Sequence, residues 1–247
     1  MPSFPHPSLS QINHRPFPLP ERPWIMRQVW KDLLFLHWLV SPDTLRPHLP
    51  EGLDLDLFDG QAWIGIVPFE MQGVTARGFP APKTLCDFPE LNVRTYVVRD
   101  GIPGVWFFSL DVNKALPVWA ANTFFHLPYF KADMSVDRDG QTVQYRHQRG
   151  ELCFEASYRP LENANPVPQG GFEEWSTSRY CLYAQSKKGS MYRGPIHHSP
   201  WPLQPAEVCI QKNTLITPFA PGERHPSALY SKELHVVVYP LERLTDG

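Results

Sequence analysis

The sequence predicts a mainly β or α+β domain, built as a barrel or strongly curved sheet with a few short helices. Three observations point there. The 28 prolines among 247 residues are roughly double the ~5% average, and most separate apolar runs, as expected of many short strands with rigid connections. Asp59-Gly60 and Asp139-Gly140 each stand between extended runs and read as hairpin turns. Runs rich in β-branched and aromatic residues recur along most of the chain.

In chain order, residues 1–23 carry seven prolines, from Pro2 to Pro23, and form an extended arm, either disordered or laid along the surface. A single domain then runs from Trp24 to residue 247. Strands are expected at Met26–Val40, Gln61–Val74, Leu91–Arg99 and Val105–Val112, then at Thr142–His147 and Leu152–Arg159. Four more follow at Tyr180–Gln185, Met191–Gly194, Ala206–Lys212 and Lys232–Tyr239. Ser41 before Pro42 marks an N-cap, and Pro50 stops that helix after two turns. A second helix is expected over Pro117–Leu127, between two prolines, and a short third near Phe172–Thr177.

Composition excludes several function classes. With 42% hydrophobic residues and 19% charged, the chain can bury a core and is not globally disordered. Lys+Arg 23 against Asp+Glu 25 gives a net charge of -2, so no basic field exists for nucleic acid or an anionic membrane. Cys86, Cys153, Cys181 and Cys209 lie far apart and read as reduced thiols. The N-terminus lacks signal-peptide character, and the longest apolar stretch, Leu33–Val40, is too short to cross a membrane. The expected location is the cytoplasm. There is no Gly-rich phosphate loop and no GxSxG, HExxH or GxGxxG motif, which disfavours nucleotide-dependent chemistry and serine hydrolysis.

The candidate chemistry centres on Glu90 to Val97. With a period of two, Glu90, Asn92, Arg94 and Tyr96 share one face and Leu91, Val93, Thr95 and Val97 the other. The polar face either meets water, as on most antiparallel sheets, or lines a cavity. In the second case Arg94 suits a carboxylate, and Glu90 would hold it in place or act as a base. Lys114, directly after the apolar strand Val105–Asp111, is either a solvated loop lysine or an amine with a lowered pKa that could form an imine. His197 and His198 point to opposite faces of an extended chain; one of them would serve as a general base, join His37 or His126 at a metal, or make structural hydrogen bonds.

The runs Gln28–Trp38, Leu49–Leu53, Phe58–Gly60, Trp63, Val67–Phe69, Glu90–Tyr96 and Tyr180–Tyr183 resemble the YqjF-like family of uncharacterised proteins. So do Arg193-Gly194, His197-His198, Pro200–Gln204 and Asn213–Leu215. The resemblance covers about Trp24–Arg243. It implies a branch of the acetoacetate decarboxylase-like superfamily, and hence a cone-shaped, closed antiparallel β-barrel around a polar cavity. That turns Glu90, Asn92 and Arg94 inward. The superfamily's decarboxylases use a lysine imine within a Pro-Lys-Lys motif, accompanied by an arginine and a glutamate. Aligned without gaps, the nucleophile position falls here on Ala115, beside Lys114, the arginine position near Leu39 and the glutamate near Arg77. The scaffold therefore carries over and the triad does not.

Two readings follow. In one the protein is a cofactor-independent, lyase-like enzyme acting on a small keto acid or carbonyl metabolite, with Glu90, Arg94, Lys114 and His197 as catalytic candidates. In the other it is a non-catalytic binding protein. The expected ligand contacts are Asn92, Tyr96, Trp63, Trp106, Tyr129, Tyr180 and Trp201. The expected partner is a small molecule; assembly of identical chains is left open. A metal enzyme using His37, His126 and His197 is the weakest alternative, and no cofactor or metal is expected.

Overall fold

The computed structural model describes residues 6–80, 82, 86–115, 122, 125–165, 167–222 and 225–245. Among them the chain is mostly β, with fourteen strands: β1 Met26–Val40, β2 Asp54–Leu55, β3 Ala62–Ala76, β4 Phe88–Arg99, β5 Ile102–Val112, β6 Tyr129–Lys131 and β7 Asp133–Asp139. The rest are β8 Thr142–Arg149, β9 Leu152–Pro160, β10 Cys181–Gln185, β11 Met191–His198, β12 Leu203–Asn213, β13 Ser227–Val238 and β14 Glu242–Arg243. Two short helices, α1 Pro42–Leu45 and α2 Phe172–Thr177, lie among them.

The strands form one sheet in the order β14-β11-β10-β5-β4-β3-β1-β13-β12-β9-β8-β7, with β2 on β4 and β6 on β5. Strand β11 also pairs with β13, from Ile196↔Val238 to His198↔Val236. Pairing therefore runs from β11 through β10, β5, β4, β3, β1 and β13 and returns to β11. The expectation of a wholly antiparallel sheet is corrected at two places: β10 and β6 both run parallel to β5. Each returns after a long excursion, which permits a parallel neighbour where a tight hairpin would not.

Local chemistry accounts for the turns. Asp59-Gly60 and Asp100-Gly101 both have positive φ at each residue, the conformation two-residue hairpin loops favour. Near Asp139-Gly140 the loop is one residue later: Asp139 pairs with Thr142, leaving Gly140 and Gln141 as the turn. Ser41 occupies the N-cap of α1, but its hydroxyl makes no capping bond. Most of the helix expected over Pro117–Leu127 lies outside the described residues. In β1 the pairing with β3 slips by one residue between Lys31 and Leu36. Asp32 sits in this bulge with φ 48°, a left-handed conformation that Asp tolerates better than most residues.

β1 and β4 are apolar or buried over most of their length because both of their faces are covered. Leu34, Leu36, Leu91 and Val93 join a cluster with Tyr145, Phe154 and Tyr158 of β8 and β9. Leu33 and Phe35 join Val67, Phe69, Phe88, Trp201 and Val236 in a second cluster. Sheets covered on both sides carry continuous apolar runs rather than alternation. The described part of the N-terminal arm lies against β11. His14 Nε2 meets the carbonyl of His198 at 2.9 Å, and the Arg15 guanidinium donates to the carbonyl of Ile196 at 2.8 Å. No helix among the described residues is long and apolar enough to cross a membrane.

Candidate functional site

The polar face of β4 is buried, with Glu90 3% exposed, Asn92 5% and Arg94 9%. These side chains line a cavity of about 460 Å³ whose wall includes Leu33, Phe35, Val67, Phe69, Phe88 and Trp201. Burying three polar groups together is costly unless each finds a partner, so the partners decide what the cavity can do.

Glu90 Oε2 accepts from the Tyr129 hydroxyl at 2.9 Å, and Tyr145 fastens the Glu90 backbone by donating to its carbonyl at 2.8 Å. Burial pushes the Glu90 carboxyl up to about 8; the Tyr129 hydrogen bond opposes the rise and nearby Asp111 adds to it. At neutral pH the group is therefore mostly a neutral acid that can exchange a proton.

Arg94 Nη2 donates to the Ser176 carbonyl at the end of α2, at 3.1 Å, and to the Tyr96 hydroxyl at 3.3 Å. Its Nε is buried without a hydrogen-bond partner, and among the described residues no carboxylate pairs with it. Arg179, by contrast, is ion-paired with Asp56, although its Nη2 is buried without a partner. Because the Tyr96 oxygen accepts from Arg94, its own proton goes to His37 Nε2, 2.5 Å away. That requires His37 to be neutral, and burial, then Arg94 and Arg179, hold its pKa well below the usual range. His198, also on the cavity wall, is pushed down to about 3 by burial. Arg94 is thus left as the cavity's uncompensated charge among these residues.

Of the residues singled out from sequence, Glu90, Asn92, Arg94, Tyr129 and Trp201 line the cavity. The others lie elsewhere. Tyr96 stands behind Arg94, between that guanidinium and His37. Trp63 packs on Phe172 with ring centroids 4.3 Å apart, and Trp106 packs against the cluster of Leu49, Leu53 and Val97. Tyr180 lies under the Arg15 guanidinium, 4.7 Å from its ring centre, and stacks on His198 at 4.6 Å. His197 accepts at Nδ1 from Arg15 and donates from Nε2 to the Ser8 carbonyl at 2.8 Å. It faces the arm while its neighbour His198 faces the cavity, as alternation along a strand demands. Lys114 donates from Nζ to the Asp87 carbonyl at 2.5 Å and is not on the described cavity wall. His37, His126 and His197 do not converge: His126 packs against Tyr192 at 4.9 Å, far in sequence and partner from the other two. Of the two adjacent histidines singled out, His198 is the one on the cavity wall, and sequence reasoning missed Arg179 as a cavity residue. Both flank α2 and β11, segments that reach β4 only through tertiary folding.

The sheet topology and central cavity define a class. Solved structures place the chain in the acetoacetate decarboxylase fold. Enduracididine biosynthesis enzyme MppR, complexed with the condensation product of pyruvate and imidazole 4-carboxaldehyde, matches with a TM-score of 0.66 and 13% identity, over 91% of this chain and 90% of that one. Acetoacetate decarboxylase from Legionella pneumophila matches with a TM-score of 0.63 and 13% identity, over 95% and 94%. At that identity the likeness is one of fold. Within the class, the chain belongs to the DUF2071 family of uncharacterized conserved proteins, whose model it matches over residues 27–235. It is 42% identical over 232 residues to the uncharacterized protein YqjF of Bacillus subtilis (strain 168), covering 91% of this chain and 95% of YqjF.

Proposed function

We propose that this protein binds a small organic acid inside a closed barrel and carries out an enolate-forming reaction on it. Glu90 handles the proton and Arg94 receives the anion. The return of strand pairing to β11 supports the closed barrel. The observation that carries the reaction is one cavity holding both a carboxyl pushed up to about 8 and an arginine without a carboxylate partner. In the proposed step a proton or carbon dioxide leaves the carbon beside a carbonyl, and the electron pair moves to the carbonyl oxygen. Glu90 removes or returns the proton at that carbon, and the arginine end of the cavity stabilises the oxyanion. The MppR and acetoacetate decarboxylase structures favour this class, since both are named as enzymes and one was captured with a pyruvate-derived product. Among the described residues no lysine stands on the cavity wall, and the proposed step takes the carbonyl oxygen itself as the electron sink.

The test is incubation with a panel of 2- and 3-keto acids in deuterated water, read by NMR for deuterium at the carbon beside the carbonyl and for loss of carbon dioxide. Wild-type protein should accelerate one of these, and Glu90→Gln should abolish it while ligands still raise the melting temperature. A second reading, a binding protein without catalysis, rests on the predominance of apolar side chains in the wall. Thermal stabilisation without exchange or decarboxylation would select it.

A further inference from the structure

We infer that the ligand is a monocarboxylic acid of about eight to ten carbons in all, its carboxylate at the Arg94 end and its apolar tail along Phe35, Phe69, Phe88 and Trp201. This rests on the proposed organic-acid site and goes further, to the size and polarity of what fills it.

The first argument is volume. At about 30 Å³ per water-sized group, 460 Å³ holds roughly fifteen such groups. A three- or four-carbon keto acid would fill about half of that and leave aromatic wall against water. The second is the distribution of polarity. The chargeable groups on the described wall are Glu90, Arg94, Arg179 and His198, beside Cys86 and Tyr129. Arg94 and Arg179 gather at the end of α2, Glu90 stands four residues back along β4 on Tyr129, and the neighbouring strand β3 presents apolar Val67, Phe69 and Met71 to the cavity beside them. The third is charge. With Arg179 paired to Asp56 and His198 neutral, the site offers one uncompensated cation among the described residues. One carboxylate satisfies it; a second would be buried against hydrocarbon without a partner. The unpartnered donors, Arg94 Nε and Arg179 Nη2, suit the carboxylate and the neighbouring carbonyl oxygen.

Calorimetric titration of the full chain with straight-chain 2-keto acids from three to twelve carbons tests this, alongside phenylpyruvate and the dicarboxylate 2-oxoglutarate. Affinity should rise about fourfold per added methylene, the equivalent of about 0.8 kcal/mol per buried CH₂, and level off near eight to ten carbons. 2-Oxoglutarate should bind at least tenfold more weakly than the five-carbon monocarboxylate. An affinity that is flat with length, or greatest for pyruvate, would overturn the inference while leaving the enolate chemistry intact if exchange still occurs. Failure of every acid to bind would remove both.

Discussion

Replacing Glu90 by glutamine isolates the cost of burying this carboxyl. Gln keeps the shape and can still accept from Tyr129, but it cannot ionise. In the unfolded chain Glu90 titrates at its ordinary value of 4.5, and in the folded protein at about 8. A carboxyl whose folded pKa is raised binds more protons folded than unfolded between those values. Its contribution to stability therefore falls as pH rises through that window. The gap of about 3.5 at 1.36 kcal/mol per pH unit amounts to about 5 kcal/mol. That is a large share of the 5–15 kcal/mol typical of a domain. Urea unfolding at pH values from 4 to 9, followed by the fluorescence of the eight tryptophans, measures it. Glu90→Gln should gain about 5 kcal/mol on the wild-type protein between pH 4 and pH 9, because all other titrating groups are shared and cancel. A difference between the two proteins that stays within 1 kcal/mol over that range would refute the buried-acid account and the proton chemistry built on it.

Other substitutions probe separate parts of the argument. Arg94→Gln removes the unpaired charge and should weaken carboxylate binding about thirtyfold, the equivalent of ~2 kcal/mol for a charge-assisted hydrogen bond, in calorimetric titration. Asp32, nearly buried, accepts from Tyr230, Lys232 and Arg138. Burial works against its ionisation, but these donors hold its pKa below 3.8. Asp32→Ala should cost about 3 kcal/mol in urea unfolding at pH 7, and the loss should shrink as pH falls from 3.8, where the unfolded chain's carboxylate protonates, through the lower value of the folded one. A Cβ on Gly104 would come within 2.8 Å of the Cys181 carbonyl, the Cys181 sulfur and the Tyr183 ring. Gly104→Ala should therefore cost about 1–3 kcal/mol by forcing apart the parallel pair β5–β10, read as a lowered Tm.

Most of the strands were legible because their signals are local. Met26–Val40 was bounded to the residue, and the Leu152 strand to within one. Strand β7, Asp133–Asp139, escaped notice because it is a charged, largely exposed edge that lacks the apolar half of the alternation pattern. β2, β6 and β14 are only two or three residues long. Proline misled at two boundaries: β11 continues through Pro195 to His198 and β12 begins at Leu203, before Pro205. The site was half legible. The Glu90–Arg94 stripe stood out as polar residues at period two, but nothing local said that Lys114 would donate to Asp87 or that His197 would face the arm.

The order of residues alone determined that this chain is a many-stranded β protein, and that Glu90, Asn92 and Arg94 share one side of a strand. Both follow from interactions a few residues long: proline's missing donor, Asp-Gly turns with positive φ, and the alternation of side chains along an extended backbone. Whether that side meets water or a cavity depended on what covers it. Here α2, β6 and β11, as many as about a hundred residues distant in sequence, close over it and bring Thr177, Tyr129 and His198 to the wall. The unusual acidity of Glu90 and the unpaired state of Arg94 arise from that enclosure, because desolvation is a property of the surroundings and not of the residue.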